Sequence, residues 1–497
     1  MQQQSGEKQG LMKKLKIFHK RQTGQKKTSK NREFAVITYS FLGLFLCLMG
    51  YFAYFEQVKS EQFINNPYNK RQELFEQNVI RGEIYSADGV ALAQTLTDEA
   101  GNETRKYPAG RIFAHVVGYS THGRTGIEAL ANFSLLRSNI FYMEKAVSDL
   151  QGEKSPGDNV TTTLNYELQL RAFDALGSYD GAVVVIEPET GKILAMVSKP
   201  DFDPNRIAAE WEDILADEEN GTLLNRTTQG LYPPGSTFKI VTALEYIREN
   251  PDTYASYCYT CGGSLREGDD VINCYHGSKH GQVSLQTSFA KSCNTSFANM
   301  GMGFDRVMFA DTLHSLLFNQ ELPLSCVYNQ SRLEIQPDDS NGEMMQNAIG
   351  QGRTQITPVH LAMITASVAN GGVLMKPYLI RHVESADGTI VKEFSPEPYG
   401  ALMTAQEADI LAGYMKAVVE SGTGTKLSGL SYTAAGKTGS AEFNSQKGES
   451  HAWFTGFAPA EDPQIVVTVI IEGAGSGGDY AVPMARRVFD ACLKEAE

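Results

Sequence analysis

The sequence predicts an α+β fold tethered by a single membrane helix, and three observations predict it. Residues 34–55 run without a charge for a length that crosses a bilayer. Strand-like runs lie at 160–197 and again at 453–471, near the two ends of the remaining chain, with largely helical sequence between them. That order suggests one sheet assembled from both ends, with helices packed around it. The chain has 497 residues, 42% hydrophobic and 21% charged, which is room for two or three domains with ordinary globular cores.

The first 33 residues hold ten Lys and Arg, Lys13, Lys14, Lys16 and Lys20 among them, against Glu7 and Glu33. That is about +8 within a chain of net charge −14, which leaves about −22 for the rest. An acidic body with a basic tail argues against nucleic acid as a partner and for a tail lying beside a membrane. Residues 34–55 are then the transmembrane helix, with Tyr and Phe crowding its far end as at an interface. A cleavable signal would have a shorter apolar core and a small-residue site after it. Here Glu56-Gln57-Val58-Lys59 follows, so the sequence predicts an uncleaved anchor, a cytoplasmic N-terminus and about 440 residues outside.

Residues 56–77 are polar and helix-like from about Glu61, a stalk leaving the bilayer. From 79 to 93 the chain alternates like a strand and breaks at Asp88-Gly89, a hairpin signal. Tyr107-Pro108-Ala109-Gly110 and Gly118-Tyr119 punctuate a second small region, and Gly126-Ile127-Glu128 opens a helix-like run. No chemistry clusters here, so residues 56–155 are expected to form a pedestal and residues 156–497 the catalytic domain. In that domain strands are expected at 160–164, 181–186 and 192–197, and a helix at 166–176. Near the C-terminus come a strand pair at 453–458 and 464–471 and a closing helix from about 482 to 494. No internal repeat is present.

The chemistry gathers around Ser236. Pro233, Pro234 and Gly235 precede a helical pattern in which Phe238, Val241, Leu244 and Ile247 recur at three-residue steps. Ser236 therefore stands at a helix start, and Lys239 lies one turn on, on the same face. A serine hydroxyl is a poor nucleophile at neutral pH, and an amine can take its proton only when unprotonated. Burial and neighbouring positive charge lower a lysine pKa and make such a pair workable. Alone, S-x-x-K is commonplace: Ser236 would be a helix cap and Lys239 a solvated lysine. Two further clusters change the weight. Ser292-Cys293-Asn294 sits in a helix-and-loop context that can turn hydroxyl and amide groups inward. Lys437-Thr438-Gly439-Ser440 lies in a strand-like stretch, where a lysine and hydroxyls beside a bare glycine suit a carboxylate and a close substrate backbone. Each cluster is weak by itself, but S-x-x-K, S-x-N and K-T-G in that order form a specific combination.

With these motifs the chain resembles the class B penicillin-binding proteins, most closely their compact PbpA-type members. The likeness includes Arg81-Gly82-Glu83-Ile84, Gly126-Ile127-Glu128, Asp203-Pro204-Asn205, Gly350-Gln351-Gly352 and Gly422-Thr423-Gly424. It implies a mixed fold of helices with a mainly antiparallel sheet, standing on a small dimerisation-like pedestal. It also implies a serine D,D-transpeptidase that cross-links peptidoglycan stem peptides ending in D-Ala-D-Ala. In that reading Ser236 is acylated, Lys239 is its base, Ser292 relays a proton and Asn294 holds a substrate amide. Lys437 and Thr438 bind the terminal carboxylate, and the donor lies along Gly439 and Ser440 as an added strand. The family's oxyanion hole would use the backbone N–H groups of Ser236 and Ser440; most relatives have threonine at the latter place. β-Lactams would acylate Ser236, no cofactor would be required for catalysis, and a polytopic glycan polymerase would be the membrane partner. Two alternatives share the fold: a serine β-lactamase or D,D-carboxypeptidase-type hydrolase, and a non-catalytic β-lactam-binding scaffold. The anchor and pedestal weigh against the first, and the complete set of motif side chains against the second.

Cys261, Cys274, His280 and Cys293 complete a set of three thiols and one imidazole, enough for a structural zinc ion. Some elongation-type relatives resemble this in carrying ligands at similar spacings around S-x-N. The competing reading is a disulfide among Cys258, Cys261 and Cys274, or free thiols, since disulfides form readily outside the cell. Either link would brace the loop that carries Asn294. Cys47, Cys326 and Cys492 are expected to be isolated. His115, His360 and His451 are expected to serve packing or the surface, and Trp453 and Phe454 the core.

Overall fold

The computed structural model describes residues 30–55, 78–140, 153–217, 220–444 and 449–494. The chain divides into two compact units, Met1–Asn69 and Lys70–Glu497. In the first, α1 (Lys30–Tyr54) carries an apolar stretch, Arg32–Tyr54, with mean hydropathy 1.9 and no buried part. Its 25 residues span about 37 Å, more than a hydrocarbon core of about 30 Å. A helix apolar on every side and exposed along its length suits lipid rather than water. The expected basic tail up to residue 29 and the stalk helix lie outside the described residues.

The second unit opens with β1 (Ile84–Tyr85), β2 (Ala91–Thr97), β3 (Glu103–Lys106) and β4 (Asn159–Thr162), followed by α2 (Tyr166–Leu176), β5 (Gly181–Ile186) and β6 (Ile193–Lys199). Next come a 3-10 turn at Gly235–Phe238, α3 (Lys239–Glu249) and four short strands. These are β7 (Tyr259–Cys261), β8 (Ser264–Glu267), β9 (Asp270–Asn273) and β10 (Gly281–Val283). The helical middle holds α4 (Leu285–Ala290), α5 (Asn294–Gly303), α6 (Arg306–Ser315) and α7 (Pro358–Ala369). Then follow β11 (Ile380–Glu384), β12 (Ile390–Glu393), α8 (Ala405–Ser421), β13 (Ala435–Asn444), β14 (Glu449–Ala458), β15 (Ile465–Ile471) and α9 (Val482–Leu493).

The central sheet runs β13-β14-β15-β5-β6, antiparallel throughout, so the two ends of the domain do meet in one sheet. Every residue of β15 and β5 is buried, and each strand therefore reads as a mainly apolar run rather than an alternation, with the buried Thr468 of β15 bonded to Thr455. Successive residues still go to opposite faces. Val183 and Val185 pack with Leu168 of α2 and Phe489 of α9, while Val184 and Ile186 join the larger core that includes Ile364 of α7.

A second sheet, β12-β11-β4-β1-β2-β3, takes strands from both sides of residue 156. The β1–β2 hairpin turns at Asp88-Gly89 as expected, with Gly89 at φ 81°. Beneath it Glu128 is fully buried between Arg81 (2.5 Å) and Arg105 (2.8 Å). Removing one partner of such a group leaves a buried charge uncompensated, at a cost of about 3–5 kcal/mol. A Cβ on Gly82 would meet Asp158 O at 2.0 Å, so the backbone beside Arg81 admits no side chain. These two facts give the Arg81-Gly82 pair its physical reason.

The stretch after α3 is less helical than its sequence suggests. β8 and β9 pair as one hairpin, and β7 pairs with β10. These strands have three or four residues, mostly exposed, and no apolar alternation announces them.

Candidate active site

Pro234 and Gly235 turn the chain into the 3-10 segment that carries Ser236, and Lys239 opens α3 directly after it. Gly235 adopts φ 53°, and a Cβ there would meet Ser440 O at 2.8 Å. The nucleophile turn is thus pressed against β13, and the Trp453 indole of β14 donates to Pro233 O at 3.1 Å. A Cβ on Gly439 would meet Pro234 O and Thr237 Cγ2, each at 3.0 Å. The expected reason for this glycine was room for a substrate backbone. The structure adds a second: a Cβ here would crowd the nucleophile turn.

Lys239 is fully buried, and its Nζ lies 3.0 Å from Ser236 Oγ, 2.9 Å from Ser292 O, 3.2 Å from Ser292 Oγ and 2.7 Å from Asn294 Oδ1. Burial lowers its pKa to about 7, while the nearby Cys293 and Cys274 oppose that shift. A neutral amine has two N–H donors and one lone pair. Donation to Ser292 O and Asn294 Oδ1 leaves the lone pair for the Ser236 hydroxyl, which is the arrangement a general base requires.

Lys437 reaches the same point from β13. It is fully buried and donates to Ser292 Oγ at 2.9 Å and to Thr438 O at 3.0 Å. Burial, and then the charge of Lys239, hold its pKa well below the usual lysine value. Ser292 therefore sits between the two amines. It adopts φ 55°, the left-handed region that a residue with a side chain enters at a cost. Asn294 is fixed from both ends of its amide, since Nδ2 donates to Asn273 O at 2.9 Å. Thr438 Oγ1 lies 2.5 Å from Thr423 Oγ1, and Ser440 Oγ accepts from Gly477 N at 3.3 Å. The structure thus brings Ser236, Lys239, Ser292, Asn294 and Lys437 to one locus, with Thr438, Gly439 and Ser440 following along β13.

Beside Asn294, the ligand atoms of Cys261, Cys274, His280 and Cys293 all lie within 4.8 Å of one another. Cys261 Sγ is 3.7 Å from Cys274 Sγ and 3.3 Å from His280 Nδ1, and Cys274 Sγ is 3.8 Å from Cys293 Sγ. Metal–sulfur bonds of about 2.3 Å in a tetrahedron give edges of about 3.8 Å, so the residues fit a zinc-like ion. A disulfide needs about 2.05 Å, and these cysteines are separate thiols. Cys258 is exposed and stands apart, its sulfur accepting from Gln282 Nε2. The hydrogen bond between Cys274 and Cys293 holds the Cys274 thiol down and pushes the Cys293 thiol up, so the pair shares one proton unequally.

Two participants escaped sequence reasoning. The Asn273 carbonyl acts through the backbone and leaves no side-chain signal. Thr295, directly after S-x-N, reads as an ordinary helix residue. The remaining expectations for packing hold: Trp453 and Phe454 are fully buried. His115 bonds Pro200 O, His360 bonds Leu316 O, and His451 stacks on Phe443.

Comparison with known proteins adds a family. The penicillin binding protein transpeptidase domain matches residues 181–490, and the penicillin binding protein A dimerisation domain matches residues 81–160. The peptidoglycan D,D-transpeptidase PbpA of Mycolicibacterium smegmatis is 32% identical over 460 residues, covering 86% of this chain and 92% of that protein. Penicillin-binding protein A from M. tuberculosis, solved as an imipenem acyl-enzyme complex, superposes with TM-score 0.77 at 28% identity, over 84% of this chain and 99% of that one. The D,D-transpeptidase domain of a peptidoglycan glycosyltransferase from Eggerthella lenta gives TM-score 0.76 at 32% identity, over 84% and 98%. By its two domain matches, and by three motifs that meet around one serine, this chain belongs to the penicillin-binding protein transpeptidase family.

Proposed function

We propose that this protein is a peptidoglycan D,D-transpeptidase that works through an acyl-enzyme on Ser236. The observation that carries the reading is the fully buried Lys239 amine 3.0 Å from Ser236 Oγ, itself held by Ser292 and Asn294. Lys239 takes the hydroxyl proton as Ser236 Oγ adds to the carbonyl between two terminal D-alanines. The oxyanion is met by the backbone N–H groups of Ser236 and Ser440; losing a donor of this kind costs on the order of 100- to 1,000-fold in rate. Ser292, in contact with both amines, passes the proton to the departing amine of D-alanine. A neighbouring stem peptide's amine then attacks the ester, and the same groups run in reverse.

The donor's terminal carboxylate is met by Lys437 and Thr438, and a carboxylate there favours the charged form of Lys437. Asn294 takes the donor's amide, and β13 receives it as an added strand. β-Lactams, which present a comparable acyl group, acylate Ser236. Cys261, Cys274, His280 and Cys293 would hold a zinc ion whose role is structural, bracing the turn between Ser292 and Asn294. Catalysis itself requires no cofactor in this reading. α1 would anchor the protein in the cell membrane with a cytoplasmic N-terminus and an extracytoplasmic catalytic domain. A polytopic glycan polymerase in the same membrane is the partner such an enzyme would need.

The test is covalent labelling of the full chain in detergent with a fluorescent penicillin, beside Ser236→Ala, followed over hours. A label that requires Ser236 and persists is the expected result. Labelling that requires Ser236 but decays within minutes would make the protein a hydrolase. A folded protein that takes no label would overturn the mechanism.

A further inference from the structure

Thr295 has no part in the chemistry above, yet it is fully buried and its hydroxyl faces sulfur. Its Oγ1 lies 3.2 Å from Cys261 Sγ, 3.5 Å from Cys293 Sγ and 3.6 Å from Cys274 Sγ. Tyr259 packs against the three cysteines. The Thr295 hydroxyl donates to Cys261 Sγ. The backbone reinforces this. Thr295 forms a backbone hydrogen bond to Cys274 and Ser296 forms one to Cys293, both from the first turn of α5.

Charge explains why such donors matter. Three thiolates and a neutral imidazole around a divalent ion leave a net charge of about −1 in a buried place. Burying that charge without hydrogen-bond donors is expensive. A buried threonine early in a helix ordinarily turns to nearby backbone groups of its own helix. Here it turns to the three sulfurs instead.

We propose that Thr295 is a positioning residue for a thiolate-bound divalent metal, its hydroxyl proton shared among Cys261, Cys274 and Cys293, so that metal retention is tied to the helix that begins at Asn294. This rests on the reading of Cys261, Cys274, His280 and Cys293 as a metal set. The role is separate from ligation and is assigned to a residue outside the three motifs. Partners of this kind, one step removed from the ion, typically control metal affinity by about 10- to 100-fold.

The test uses the full chain in detergent, as wild type, Thr295→Val and Thr295→Ser, each loaded with zinc and with cobalt(II). Chelator competition measures zinc affinity, and the thiolate-to-cobalt charge-transfer band reports electron density on sulfur. Thr295→Val keeps the shape and loses the proton; it is expected to hold zinc about 10- to 100-fold more weakly and to shift the cobalt band. Thr295→Ser is expected to restore both. If Thr295→Val binds zinc with unchanged affinity and an unshifted band, the assignment fails while the metal reading stands. If wild type binds no zinc under reducing conditions, both fall, and penicillin labelling of the same sample still reports on the transpeptidase reading. If both variants unfold, zinc-loaded wild type is read by NMR instead: a Thr295 hydroxyl proton that exchanges slowly with water is expected, and one that exchanges freely would overturn the assignment.

Discussion

Lys437 reaches the site on the edge strand of a sheet whose inner strands β15 and β5 are buried at every residue. Asn294 reaches it beside an arm, residues 259–283, whose buried side chains are Cys261, Ile272, Cys274 and Val283. The two regions meet at Ser292, which accepts a hydrogen bond from Lys437 and contacts Lys239. They hold their places by different means. The sheet is fixed by apolar area at roughly 25 cal/mol per Å² buried, spread over many residues. The arm has little such area, and half of its buried side chains are thiols pointed at one another. Order on the Lys437 side is therefore distributed, while order on the Asn294 side is concentrated in one small cluster.

A pair of truncations separates the two. Ile470→Ala, at a fully buried position near the end of β15, is expected to cost about 2–5 kcal/mol and to lower the unfolding temperature with or without a chelator. Cys274→Ala removes one sulfur from the cluster and loosens the segment that ends at Asn273, whose carbonyl holds the Asn294 amide. Its expected signature is a fall of about 10-fold or more in the rate of penicillin acylation, and faster amide exchange across 259–283 with β15 still protected. Equal loss of protection in both regions would mean that the arm and sheet are one cooperative unit, and the contrast would be void.

The same contrast explains what the sequence disclosed. Long, mainly apolar runs such as 181–186 and 465–471 announced the sheet, because strands buried on both faces are built largely of apolar residues. The Ser236 to Lys239 spacing announced the base, since one helical turn brings the two side chains together whatever surrounds them. The arm was illegible as structure, because strands of three exposed residues carry no periodicity to read. Its cysteines and His280 were visible as a chemical set, but spacing alone left zinc and a disulfide both open. What the structure adds is the separation of the sulfurs, with Cys258 lying apart from them. Thr295 and the Asn273 carbonyl act through proximity alone, and a sequence carries no record of that.

Lys239 joins the two regions, and its pH response measures how dry the junction is. Burial is the main cause that brings its pKa to about 7. Acylation by penicillin should rise with pH to a plateau above about 8, with the rate at pH 6 about a tenth of the plateau. A midpoint near the ordinary lysine value of 10.5 would show that water enters the junction, and the neutral-amine mechanism would be lost.

The smallest expected effect comes from the far end of the same helix. Glu245 is fully buried in α3, and neither of its carboxyl oxygens has a hydrogen-bond partner. Burial, with Glu249 one turn on, raises its pKa from 4.5 to about 8. Between those values the unfolded chain releases a proton that the folded protein keeps. Stability from this group is thus highest below about 4.5 and declines as pH rises toward about 8. Glu245→Gln keeps the shape and stays neutral, so its melting temperature should match wild type near pH 4.5 and exceed it by a growing margin up to pH 8. A constant difference across that range would mean that Glu245 is already ionised in the fold. If the margin does grow, and penicillin labelling at pH 8 rises with it, then α3 transmits order along its length to Ser236 and Lys239. The helix would then be a third support for the site, independent of both the sheet and the arm.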